Sequence, residues 1–108
     1  MSDYVNNDPH IDGGDASGNV TATGVDIGGY SNVCAVCTLS GGGSPNGTLT
    51  LEISNDDSTY VSSTVTASVT GDASYLLALA NTGARYVRVV YTASSGSGDL
   101  DVTLFAKG

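Results

Sequence analysis

The chain has 108 residues, the length of one ordinary domain, and a net charge of −8. Glycine, serine, threonine and valine dominate its composition, whereas Glu and Lys occur once each and Gln is absent. These scarce unbranched residues are the ones that cover helix surfaces, so the composition excludes a helical bundle and favours an all-β domain. So few cations cannot neutralise phosphates or an anionic membrane surface, and we expect no nucleic-acid or membrane partner.

The N-terminal residues 1–17 carry little hydrophobic periodicity and mix acidic residues with Asn, Gly and Pro. They predict a flexible acidic N-terminal arm in front of a β-sandwich domain over residues 18–108. No basic segment followed by an apolar run is present, and the longest apolar run, residues 75–80, is too short to span a membrane. We therefore expect a soluble protein made in a cytoplasm.

Two cysteines, Cys34 and Cys37, form a C-x-x-C pattern inside residues 32–39, a segment that predicts a β-strand. Positions i and i+3 of a strand point to opposite faces, so the two sulfurs cannot easily pair or share a metal. We interpret them as two separate small hydrophobic residues, at least one of them in the core, in a reducing compartment. The competing interpretation, a redox or zinc motif, needs further ligands, and only His10 in the arm is available.

Apolar residues alternate with polar ones over residues 48–53, 64–69, 85–91 and 100–106, which predicts four half-buried strands. Shorter strands are predicted at residues 19–23 and 60–61, and at residues 74–79, where a helical turn is the alternative. About eight short strands separated by turns predict a single-domain antiparallel β-sandwich or jelly roll. The strands 85–91 and 100–106, joined by a Ser/Gly turn, are predicted to pair as a hairpin.

The candidate interface residues are Tyr60, Tyr86, Arg88 and Phe105. Tyr86 and Arg88 lie two residues apart and share a strand face, and such a pair combines apolar bodies with polar tips. A protein interface is the first interpretation; a cation–π decoration of the surface and a sugar-binding groove are the others. Phe105 points away from Leu104 and is expected to be exposed, as a subunit contact or packed under the arm.

Catalytic patterns are missing from the sequence. His10 is the single histidine, and nothing would hold it rigid in a flexible arm, so no hydrolytic triad is expected. Asp56 and Asp57 are interpreted as turn-forming residues, and the acidic residues 12–15 do not match a calcium-binding loop. We expect no enzyme, with no catalytic residue, no metal and no cofactor.

Three segments have distinctive sequence patterns. The first is a hydrophobic strand that begins with Gly-Thr and is followed by Ser-Asn-Asp at 54–56. The others are Tyr-Val-Arg-Val-Val-Tyr-Thr at 86–92 and Ser-Gly-Ser-Gly-Asp-Leu at 95–100. They resemble small structural proteins of tailed bacteriophages over residues 18–108. Tyr60 stands where many of those sequences have Trp, and Ala93 where they have a polar residue. Both departures alter the surface rather than the fold.

The resemblance implies a non-enzymatic jelly-roll protein of the virion, a capsid decoration (cement) protein. Such a protein binds the major capsid protein on the outer capsid surface, stabilises contacts between capsomers and forms a homotrimer at threefold positions. The alternative is a carbohydrate-binding or host-adhesion β-sandwich module of a phage fibre, tail or baseplate. That alternative would use the tyrosines as a sugar platform, in a chain that contains no Trp.

Overall fold

The computed structural model describes residues 4–108. This part of the chain is entirely β, and no helix in it is long and apolar enough to cross a membrane. Its nine strands are β1 (Tyr4–Asp15), β2 (Val20–Thr21), β3 (Val25–Asp26), β4 (Asn32–Ser40), β5 (Asn46–Ser54), β6 (Val61–Thr70), β7 (Ala73–Leu79), β8 (Tyr86–Ser95) and β9 (Asp99–Lys107).

The strands form two antiparallel sheets that pack face to face. The first sheet has the order β1-β9-β4-β7, and the second has the order β2-β8-β5-β6 with β3 also paired to β8. Because β2 and β3 lie one after the other along the same side of β8, they count as one interrupted strand. The described residues then form eight strands in the order of a jelly roll, in which consecutive strands change sheet except for β5 and β6, which pair with each other in the second sheet. This order confirms the predicted fold class.

The predicted hairpin between the last two strands is wrong. β8 pairs with β2, β3 and β5 in the second sheet, whereas β9 pairs with β1 and β4 in the first. The turn at 96–98 carries the chain from one sheet to the other, and it is held by hydrogen bonds from Ser97 N to Gly43 O and from Ala16 N to Gly98 O. Alternation fixes which side chains are buried, but it does not fix the pairing partner.

The N-terminal segment also differs from the prediction of a flexible arm. Tyr4–Asp15 pairs with β9 as an edge strand of the first sheet, from Tyr4 opposite Lys107 to Asp15 opposite Asp99. Two irregularities, between Asn7 and Ile11 and between Ile11 and Gly14, interrupt its pairing. The part of the predicted arm at residues 1–3 lies outside the described residues.

The core lies between the sheets and is built by the alternation that the sequence predicts. Val87, Val89 and Tyr91 of β8 and the apolar positions of β9 are buried against their counterparts on β4 and β5. The segment at 74–79 is a strand rather than a helical turn, since Leu77 is fully buried while its neighbour Leu76 is 61% exposed. Residues 60–61 are not a separate strand, because Val61 opens β6 and Tyr60 lies just before it.

The ring of Tyr91 packs in the core above Gly47, where an added Cβ would come within 2.8 Å of the ring carbon Cζ. Its hydroxyl is buried without a hydrogen-bond partner among the described residues. Leaving a buried polar group unpaired costs roughly 1–3 kcal/mol.

We therefore expect Tyr91→Phe to keep the free energy of unfolding unchanged or to raise it by about 1 kcal/mol, as measured by urea denaturation. Tyr91→Leu serves as the comparison, since it removes the ring and leaves a cavity that costs about 2 kcal/mol or more. A loss of more than about 1 kcal/mol in Tyr91→Phe would mean that the hydroxyl is hydrogen-bonded.

Candidate interaction surface

Three of the four candidate interface residues meet on the outer face of the second sheet. Arg88 of β8 lies opposite Glu52 of β5, and its guanidinium is 2.8 Å from the Glu52 carboxylate. The same guanidinium lies 3.9 Å from the centroid of the Tyr60 ring. Arg88 is thereby held between an anion and an aromatic face, and its side chain is only 27% exposed.

Tyr60 is fixed by the turn that precedes β6. Its hydroxyl donates a hydrogen bond to Asp57, a residue with a positive φ of 60°. Gly24, before β3, lies directly beneath this pair, and a Cβ there would overlap the Tyr60 hydroxyl. Partial burial, followed by the hydrogen bond to Asp57, raises the pKa of Tyr60 to about 12, so the hydroxyl keeps its proton at neutral pH.

The turn at residues 54–59 is organised by Asp56. Its carboxylate oxygen accepts hydrogen bonds from the amides of Ser58 and Thr59 and from the Ser54 hydroxyl. These hydrogen bonds, with that from Thr59 the largest cause, hold the pKa of Asp56 below its ordinary value. Asp56 is thus a turn-forming residue, as predicted, and its carboxylate serves the fold of this loop.

A second arginine extends the same surface. The Arg85 guanidinium lies 5.3 Å from the Tyr86 ring and 3.2 Å from the Asp26 carboxylate. Both side chains of this ion pair are largely exposed, so it contributes little to stability. The hydrogen bond from the Gly28 amide, and then the one from Arg85, lower the pKa of Asp26.

We call Tyr60, Tyr86, Arg85 and Arg88 the tyrosine–arginine cluster. It contains both arginines of the chain, and three carboxylates, on Asp26, Glu52 and Asp57, contact its members. A shallow depression of about 290 Å³ lies nearby, lined by Ile53, Ser54, Asn55, Asp56, Thr59, Val61 and Ala84. Aromatic rings and guanidinium groups held in place by neighbouring carboxylates are the chemistry of a protein-binding hot spot.

Phe105 does not join this cluster. It lies on β9 in the first sheet, whose outer face points away from that of the second sheet. There it is 43% exposed, beside Val36 and Leu76, which are 42% and 61% exposed. Sequence reasoning predicted the exposure of Phe105 but missed Val36 and Leu76, although both occupy outward positions of alternating strands.

His10 has a role that the sequence interpretation did not assign to it. Its Nε2 accepts a hydrogen bond from the Val89 amide at 3.1 Å, and its Nδ1 lies 2.6 Å from the Asn7 side-chain oxygen. The Val89 amide faces the gap between β2 and β3. The His10 ring therefore supplies the acceptor that a continuous edge strand would provide at this point. Burial lowers the pKa of His10 to about 4, which keeps the ring neutral.

The two cysteines point to opposite faces of β4, as predicted. Cys37 is fully buried and Cys34 is exposed. Burial raises the pKa of Cys37 to about 12, so its thiol stays protonated. Among the side chains that the structure describes, those of residues 5–7 and 9–108, no group of three or more His, Cys, Asp or Glu is placed to hold a metal ion.

The fold and these surfaces define a single-domain jelly-roll protein with a tyrosine–arginine cluster on one outer face. No protein-family model matches the chain, and no curated protein is significantly similar to it in sequence. Solved structures do share the fold. PBSX exported protein XepA superposes with a TM-score of 0.73 at 16% identity, over 96% of this chain and 37% of XepA.

Two further solved structures match over nearly their full lengths. SPBc2 prophage-derived protein YomS superposes with a TM-score of 0.60 at 8% identity, over 100% of this chain and 97% of YomS. PirA superposes with a TM-score of 0.58 at 12% identity, over 98% of this chain and 94% of PirA. At these identities the likeness establishes the shared fold.

Proposed function

We propose that this chain is a non-enzymatic structural protein of a bacteriophage, and specifically a capsid decoration protein that binds the outer surface of the major capsid protein. The observation that carries the proposal is the jelly-roll fold, which the chain shares over 96–100% of its length with the PBSX protein XepA and the SPBc2 prophage protein YomS. The sequence patterns at 54–56, 86–92 and 95–100 support the same class of protein independently.

The tyrosine–arginine cluster is the surface through which we propose that the chain contacts the shell. Glu52 neutralises Arg88 and the Tyr60 ring covers it, so the guanidinium is already positioned before any partner arrives. Groups that are fixed in advance lose little conformational entropy when they bind.

A second candidate is a phage-encoded protein that is released from the cell without joining the particle. The shared fold of the PBSX exported protein XepA favours this candidate. The chain spans little more than a third of XepA, so this candidate concerns the shared domain alone.

The test is sedimentation of purified chain with empty capsids of its own phage, assembled without it. We expect saturable co-sedimentation, and we expect Arg88→Ala to weaken binding by roughly tenfold, because truncating an interface hot spot typically costs more than about 1 kcal/mol. Thr66→Ala is the matched control, because Thr66 is exposed on β6 of the same sheet, outside the cluster.

The fold of Arg88→Ala is checked by its urea unfolding midpoint, so that lost binding is not confused with lost structure. Recovery of the native protein only from the particle-free fraction of a lysate, with no co-sedimentation at saturating concentration, would contradict the decoration role and favour the released form. Equal binding by Arg88→Ala and wild type would show that the tyrosine–arginine cluster does not contact the capsid.

A further inference from the structure

The outer face of the first sheet carries a continuous apolar surface. In register, Cys34 of β4 lies between Ala78 of β7 and Phe105 of β9. In the next outward row, Val36 lies between Leu76 and Thr103. We call the residues Cys34, Val36, Leu76, Ala78 and Phe105 the apolar face. A groove of about 420 Å³ crosses it, lined by Asn32, Cys34, Val36, Thr103, Phe105 and Lys107.

This surface gathers most of the exposed large apolar side chains. Of the four in the described part of the chain, Val36, Leu76 and Phe105 lie here and only Val61 lies elsewhere. Soluble proteins rarely expose such a contiguous patch unless something covers it. Beside the apolar face lies β7, the edge strand of the first sheet, which has no charged residue and no proline over Ala73–Leu79. An unprotected edge strand is typical of an interface.

The charge distribution favours a second copy of this chain as the partner. Two copies that each carry −8 repel one another, and the apolar face is where that repulsion is weakest. Residues 27–51 and 73–84, which supply β4 and β7, contain no charged side chain. The charges on the outward side of β9 lie near its ends, at Asp99, Asp101 and Lys107. The exposed Asp12 and Asp15 belong to β1, at the edge of the sheet farthest from β7.

Asp101 and Lys107 give the face a self-complementary pattern. Both point outward from β9 with Thr103 and Phe105 between them, and six residues of strand separate them by about 20 Å. A twofold axis near the midpoint of Thr103 and Phe105 brings Lys107 of each copy opposite Asp101 of the other. An isologous interface repeats this pair twice.

We propose that two copies of this chain pair through the apolar face around a twofold axis, with reciprocal Asp101–Lys107 ion pairs at its two ends. The four-stranded sheet presents a face of about 20 by 30 Å, which is of the order of the roughly 800 Å² per partner in a standard interface. The tyrosine–arginine cluster lies on the opposite side of the sandwich, so it stays exposed in the pair. The proposed pairing can therefore be tested independently of the decoration role.

The first experiment is the solution mass of the full chain by light scattering over a range of concentrations. We expect twice the 10.8 kDa of one chain, and we expect Leu76→Lys to reduce the mass to that of a single chain. Val61→Lys is the matched control, because Val61 is 56% exposed on the other sheet. Its mass is expected to equal that of wild type.

Three results would overturn the pairing: a wild-type monomer at all concentrations, the mass of the homotrimer that the family resemblance implies, or a dimer that Leu76→Lys leaves intact. Thermal unfolding of Leu76→Lys verifies that a monomeric mass reflects a folded chain. Leu76 is exposed on an edge strand, so its substitution leaves the core untouched.

A charge exchange tests the twofold geometry itself. Lys107→Asp places two acidic groups opposite each other at both ends of the interface, and we expect the dimer to dissociate roughly tenfold more readily. Adding Asp101→Lys restores opposite charges and is expected to recover most of that loss. Asp101 also accepts a hydrogen bond from the Gly13 amide, so the urea midpoint of the double variant is measured beside it. A double variant no tighter than Lys107→Asp would overturn the twofold arrangement.

Discussion

Replacing Gly96 with alanine is expected to lower the free energy of unfolding by about 3 kcal/mol. Two causes act together at this position, in the turn that carries the chain from β8 to β9. The backbone of Gly96 has φ of +80°, a left-handed conformation that costs a residue with a side chain about 1–2 kcal/mol. An added Cβ would also come within 2.1 Å of the Ser44 carbonyl oxygen, and a backbone atom cannot rotate away.

Gly83→Ala is the matched control for this substitution. No atom lies within 4 Å of the Cβ it would add, and its φ is not in the left-handed region. We expect urea denaturation to give Gly83→Ala a stability within about 0.5 kcal/mol of wild type. If Gly96→Ala lost no more free energy of unfolding than Gly83→Ala, the turn would tolerate a side chain and the packing of Gly96 against Ser44 would not be tight.

The burial pattern of this fold can be predicted from the sequence, but its strand pairing cannot. In β5, β8 and β9 each alternate residue that was expected to face inward is buried or half-buried, since a period of two is imposed on any strand with one wet face. Pairing depends on where the turns direct the chain. The Ser/Gly turn at 96–98 is as suitable for a hairpin as for a crossing between sheets, and contacts with Gly43 and Ser44 from a distant loop decide the outcome.

The N-terminal strand shows a different reason for failure. β1 contains Pro9 and Gly13, and its pairing with β9 is interrupted at two places, so no period of two runs through it. What orders the segment is the exposed edge of β9, which no local pattern in residues 4–15 reveals. The sequence also predicted no fixed position for His10, because its hydrogen-bond partner Val89 lies 79 residues away in the chain.

The candidate interaction surface was predicted in part. That Tyr86 and Arg88 share a face follows from their spacing on one strand. The contact of Arg88 with Tyr60 does not, because it depends on the turn at 54–59 and on the absence of a side chain at Gly24. Glu52 faces Arg88 only because β5 and β8 are neighbours, a pairing that the sequence did not predict.

The neutral ring of His10 makes the stability of the fold depend on pH. In the folded chain its pKa is about 4, against about 6.5 in the unfolded chain, so over this range protons bind mainly to the unfolded state. The stabilising contribution is therefore fully present above pH 6.5 and is lost as the pH falls towards 4. The shift corresponds to at most about 3 kcal/mol, and solvent screening of the partly exposed ring reduces it. We expect the free energy of unfolding, measured in urea at several pH values, to fall by about 1–2 kcal/mol.

His10→Gln separates this effect from other titrations. The Gln side-chain oxygen can accept the Val89 amide hydrogen bond in place of Nε2 but does not titrate, so we expect the loss between pH 6.5 and 4 to disappear. Asp15, Asp26 and Asp56 have pKa values lowered by hydrogen bonds from the ordinary 3.8, and their contribution is lost only below that pH in both proteins. An equal slope for wild type and His10→Gln above pH 4 would mean that the ring is not held neutral at the edge of the second sheet. A slope confined to wild type would show that the His10 ring is held neutral in the folded chain, as the hydrogen bond that it accepts from the Val89 amide of β8 requires.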